Sequence, residues 1–198
     1  MITVTGEPDI PAVVTQAIQA SNGLLSDAAF FADIAQHPSF DLSTAPPAEV
    51  ARILQDSTLT FRVEMFYPGI FGRLGKYRKT LAYTDSRYPN TLFLNVKKLN
   101  RSAESIAATI IHEGVHAADD AETQYTFGHG NNSPVGKDNT APYWIGNHAY
   151  ERLTGAPPAV ALVFDQPTDD ADATTGLAEN DDSRRLAVPE GLPASAAA

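Results

Sequence analysis

The stretch Thr109-Ile110-Ile111-His112-Glu113-Gly114-Val115-His116-Ala117-Ala118-Asp119 decides how the rest of the chain is read. Its apolar and small residues follow a capping signal at Ser102 and spell a helix. His112 and His116 stand four apart, so a helix sets them one turn apart on one face. Two neutral imidazoles at that spacing can hold one zinc ion from the same side. Glu113 projects beside them, placed to take a proton from a metal-bound water. Ile106, Ile110 and Ile111 cover the other faces, which marks the helix as buried. Imidazoles and a carboxylate in such a place are costly unless paired or metal-bound, so the pattern asks for a metal. The plainer alternative, two solvated histidines on a surface helix, leaves the apolar flanks unexplained.

Upstream the hydrophobic period changes. Residues 58–67 alternate and read as a half-buried strand. A glycine-rich stretch, 68–76, follows. Residues 79–84 and 91–96 are two more strands, joined by the turn residues 85–90, and antiparallel pairing is their simplest arrangement. Residues 8–56 read as three helices. Pro8 and Pro11 open the first and Gly23 closes it. Ser26 caps the second, which carries Phe30, Phe31 and Ile34 and stops at Pro38. Ser43 or Thr44 precedes the third, with Pro46, Pro47, Val50, Ile53 and Leu54. These helices read as a scaffold packed on the sheet, and His37 as a surface or capping histidine.

Downstream, residues 124–139 are rich in Gly and Asn and contain Pro134, which fits a functional loop. A last helix runs from about Pro142 to Leu153, with Thr140 as its cap and Gly155 as its stop. From Asp165 the chain becomes acidic and rich in Ala and Pro, and residues 165–198 read as a loose or disordered tail. The expected organisation is an α+β fold. Residues 1–57 form a helical part of the same domain, 58–155 a catalytic core with a small antiparallel or mixed sheet, and 156–198 the tail.

Composition narrows the function. The 198 residues are 43% hydrophobic and 19% charged, an ordinary globular balance. The net charge of −10 argues against nonspecific nucleic-acid binding. Without cysteine there is neither a disulfide framework nor a thiolate zinc site. Nothing at the N-terminus resembles a signal peptide and no run has the length of a membrane span, which leaves the compartment open between the cytoplasm, export by a signal-independent machine and a domain cut from a longer protein.

A catalytic zinc takes three protein ligands and leaves a fourth place for water. Glu151, on the final helix and 35 residues after His116, is the favoured third ligand. Its carboxylate lowers the charge of the site, and Asn147 one turn earlier can orient it. His148 and His129 are the alternatives. His129 lies between Gly128 and Gly130, where the backbone permits close approach, and is either the third ligand or a donor to the transition-state oxyanion. Glu122 is set aside, because no glycine at 119 lets the chain turn back. Asp119 and Asp120 are either partners of the ligands or solvated charges at the helix end.

On His112-Glu113-Gly114-Val115-His116 and the strands before it, the chain resembles the zincin metallopeptidases over about residues 58–155. It looks most like their glutamate-ligand branch. That resemblance implies a C-terminal ligand helix and an edge strand along the cleft, 79–84 or 91–96, that binds substrate backbone. The layout is also similar to metallopeptidase toxin domains of bacterial secretion-system effectors, where an inhibitor or immunity protein would be a partner. The Asn-Glu signature of that ligand helix appears here only as Asn147-His148. The expected activity is zinc-dependent hydrolysis of a protein or peptide. Glu113 is the base, and His129 or a tyrosine among Tyr125, Tyr143 and Tyr150 is the oxyanion donor. The alternative is a non-catalytic binding or regulatory module that keeps a zinc site.

Overall fold

The computed structural model describes residues 1–68, 81–85, 87–129 and 136–158. The glycine-rich stretch after Pro68 and the acidic tail beyond residue 158 therefore lie outside the described residues. Among the described residues four strands form one mixed sheet: β1 (Thr3–Gly6), β2 (Thr60–Phe66), β3 (Ala82–Asp85) and β4 (Tyr88–Asn95). Their spatial order is β1-β2-β4-β3. β1 and β4 both run parallel to β2, and β3 pairs antiparallel with β4.

The α+β expectation holds at this level, with corrections to the strands. The turn expected over 85–90 is tighter, because Tyr88, Pro89 and Asn90 already belong to β4. Segment 91–96 is not an edge: β4 is flanked by β2 and β3, and among the described residues β3 is the one of the two expected edges that stands at the rim. The other edge is β1, which pattern reading missed. Four residues carry too little alternation to announce a strand, and pairing with β2 makes it one. Its outer backbone is occupied by a side chain. Val4 N–H donates to Asn22 Oδ1, and Asn22 Nδ2 donates to Val4 O, each at 2.8 Å. A carboxamide thus covers backbone groups that an edge strand otherwise leaves open.

Five α-helices are present among the described residues: α1 (Ala12–Leu25), α2 (Ala28–Gln36), α3 (Pro47–Asp56), α4 (Ala103–Ala121) and α5 (Ala141–Thr154). Their limits follow the capping residues closely. Ser102 accepts from Ser105 N–H at the start of α4. Gly155 ends α5 in the left-handed region (φ 75°), where a side chain is penalised. The second helix is capped by Asp27 and not Ser26: its carboxylate accepts from Ala29 N–H, while the Ser26 hydroxyl turns back to Asn22 O.

The core forms where the inner face of the sheet meets the helices. Phe61, Val63, Leu92 and Leu94 join Phe30, Ile34, Val50, Ile106 and Ile110 in one cluster running from Ile2 to Ala149. Each such side chain, removed from water, contributes about 1.5–3 kcal/mol. α4 is covered on every side, with residues 106–115 all buried. It packs between α1 and α5. Entry to it is held by Arg101, whose guanidinium donates to Thr109 Oγ1 at 2.9 Å and whose pKa burial pushes down to about 10. The guanidinium therefore stays charged at neutral pH. No described helix is long and apolar enough to cross a membrane.

Candidate metal centre

α4 is a 19-residue helix with small residues packed around its two histidines, Gly114 and Ala117 among them. The packing of α1 and α5 on α4 takes His112 out of solvent altogether and leaves His116 partly covered. Their ring centroids are 5.0 Å apart, as expected one turn apart on one face. Glu113, between them in sequence, is 4% exposed.

The third histidine is His129, from the loop between α4 and α5. It is 6% exposed, and its ring lies 4.4 Å from that of His116 and 5.6 Å from that of His112. One nitrogen from each of the three rings lies within 4.8 Å of the other two. Nε2 of His116 and Nε2 of His129 are 2.9 Å apart. Nitrogens around a tetrahedral zinc, with bonds of about 2.0–2.1 Å, are separated by about 3.3 Å. The His116–His129 spacing is near that value and the third nitrogen lies within the same limit, so the three histidines lie close enough to bind a metal ion. Three imidazoles with no thiolate suit zinc, and in general also copper, nickel or iron.

The outer nitrogen of His129 meets Lys137. The Lys137 Nζ lies 3.0 Å from His129 Nδ1 and donates to His129 O at 3.1 Å. Lys137 is only 6% exposed, an unusual place for a lysine.

Other predicted residues are placed elsewhere. Glu151, the favoured third ligand, does not join the group; its side chain is 52% exposed and lies against His148 on the outside of α5. The helix turns it outward, two residues past buried Ala149, so among the described residues His129 and not Glu151 joins the two helix histidines. His148 is not in the group either. Its Nε2 is 3.1 Å from Asp33 Oδ2, and its ring stacks on Phe30 and Trp144. Of the three tyrosines, Tyr143 is the one at the centre: it is 1% exposed, with its ring 4.7 Å from His112 and 5.2 Å from His129. Asp119 accepts backbone N–H groups of the His129 loop, whereas Asp120 is exposed, its carboxyl raised by partial burial and then by Asp119. Sequence reasoning overlooked Lys137, because a lysine in a polar loop reads as solvated. No family model, curated protein or solved structure matches the chain.

Proposed function

We propose that the chain is a zinc-dependent peptide hydrolase of the zincin kind, with His112, His116 and His129 as the metal ligands. The observation that carries this reading is the convergence of three buried or half-buried imidazoles, two of them on the helix that also buries Glu113. A purely structural zinc takes four protein ligands and has no use for a free glutamate next to them. Bound zinc supplies a Lewis acid and brings the pKa of a coordinated water near neutrality.

The chain's own residues do the remainder. The Glu113 carboxylate accepts a proton from the attacking water and later delivers it to the leaving amine. His129 serves as a ligand in this scheme, so the oxyanion role passes to Tyr143, the tyrosine packed against two ligand rings. Three neutral ligands leave the site more positive than two histidines and a glutamate would. Such a site polarises a carbonyl and activates water more strongly.

The test is Glu113→Gln, which keeps size and shape and removes the base. Zinc content, measured by elemental analysis, stays near one per chain, while hydrolysis of a peptide library falls by at least ~100-fold, the scale of a lost general base. Unchanged turnover in this variant would sink the mechanism.

A further inference from the structure

The helix that carries two of the histidines also holds the loop that carries the third. Asp119 lies three residues after His116 and seven after His112, on the same face of α4. Its Oδ1 accepts the N–H of Phe127 at 2.6 Å and its Oδ2 accepts the N–H of Gly128 at 3.0 Å. Hydrogen bonds to a charged acceptor are about twice as strong as neutral ones. Phe127 itself is wholly buried in the core, so the loop is held by its side chain and by its backbone immediately before His129.

Gly128 belongs to the same device. A Cβ at that position would stand 2.5 Å from Asp119 Oδ2 and 3.5 Å from His116 Nδ1. Glycine is required here for space: the carboxylate and the backbone could not meet across a methyl group. On the far side of His129, Lys137 grips its carbonyl. The loop is therefore pinned before and after the ligand, by an anion on one side and a cation on the other.

We infer that Asp119 is the positioning residue for the third ligand: by holding the Phe127 and Gly128 amides, it sets where His129 stands relative to His112 and His116. The inference rests on the three-histidine reading above. It gives one helix face a complete programme, two ligands at 112 and 116 and the anchor for the third at 119. It also explains how a loop histidine can be as well placed as one on a helix. Metal affinity then depends on a carboxylate that does not itself join the ligand group.

Cobalt(II) titration of the full chain tests this, read by competition with a chromophoric chelator and by the visible bands that distinguish four-coordinate cobalt from higher coordination. The native chain binds one cobalt, and His129→Ala weakens binding and loses the intense four-coordinate bands. Asp119→Asn weakens binding by about 10–100-fold, the scale seen when the partner of a metal ligand is removed, and dims the same bands. Asp120→Asn, an equal charge change one residue away, leaves both unaltered. In the His129→Ala background, Asp119→Asn adds no further loss, because its effect passes through His129. Gly128→Ala keeps the charge, pushes the loop off the carboxylate and weakens binding in the same direction, which decides the matter if circular dichroism shows Asp119→Asn unfolded. Equal affinity of the native chain and His129→Ala overturns the three-histidine reading, and this inference with it. Weak binding by His129→Ala, with native affinity in Asp119→Asn and Gly128→Ala, overturns the positioning role alone. Additive losses in the double variant also overturn it.

Discussion

The chain has five histidines, and the fold sorts them into two groups. His112, His116 and His129 turn their nitrogens toward one another inside the protein. His37 and His148 turn their faces to Trp144, with ring centroids 4.3 and 4.8 Å from the indole. Phe40 and Phe30 extend the stack at its two ends, at 4.7 Å from His37 and 5.7 Å from His148. In this column each histidine has a partner of its own: Asn139 Oδ1 at 2.8 Å for His37, Asp33 Oδ2 at 3.1 Å for His148. The difference lies in what satisfies the ring nitrogens. A histidine stacked on its face and bonded to a fixed oxygen is a packing element. Three histidines whose nitrogens converge form a place for a cation. His148 is a potential ligand by its position in the chain, and Asp33 and Trp144 turn it into a structural residue.

The largest effect should separate the two groups outright. His112→Ala removes a ligand and should abolish measurable zinc at micromolar protein, whereas Glu151→Ala should keep zinc at the native level under mild chelation, since its side chain is half exposed and outside the group. Zinc retained by the first variant and lost by the second would restore the carboxylate as the third ligand. A smaller effect is expected in the stacked column. His148→Ala removes a hydrogen bond and two ring contacts and should cost about 1–2 kcal/mol in urea denaturation, with no change in zinc content. Loss of zinc there would mean that the column and the centre are one unit.

The smallest effect lies at the rim of the column, where Arg152 joins Asp33 at 3.2 Å and Asp27 at 2.6 Å. The Ala29 amide above all, and then Arg152, hold the Asp27 carboxyl below its ordinary value. A lowered carboxyl contributes stability above its ordinary pKa and loses it as pH falls through the folded value. Asp27→Asn keeps a capping oxygen and removes the charge. Its melting temperature should lie slightly below the native chain's at pH 7, and the gap should close toward pH 3. A gap that widens in acid would contradict the sign.

Much of this was legible in the residues themselves. Helix limits follow from caps and periodicity, which are local: Ser102 before α4, Pro142 and Gly155 around α5, Pro38 after α2. The alternation of Thr60–Phe66 announces β2 for the same reason, and the spacing of His112 and His116 announces two histidines on one helix face. Other features depend on what meets what across space. β1 is a strand because β2 lies beside it and Asn22 covers its edge. β4 is interior because β1 and β3 take the two edges.

The third histidine of the group is the clearest case. Sequence alone favoured Glu151 and kept His129 and His148 as alternatives, because spacing along a chain says nothing of distance across a loop. The fold brought in His129, by the Asp119 carboxylate, the room left by Gly128 and the burial of Phe127, and turned Glu151 toward solvent. Periodicity and capping act within a few residues, so the sequence by itself determined the helices and the shared face of His112 and His116. Loop placement is the sum of weak contacts between distant residues, so only the tertiary structure decided which histidine lies beside them.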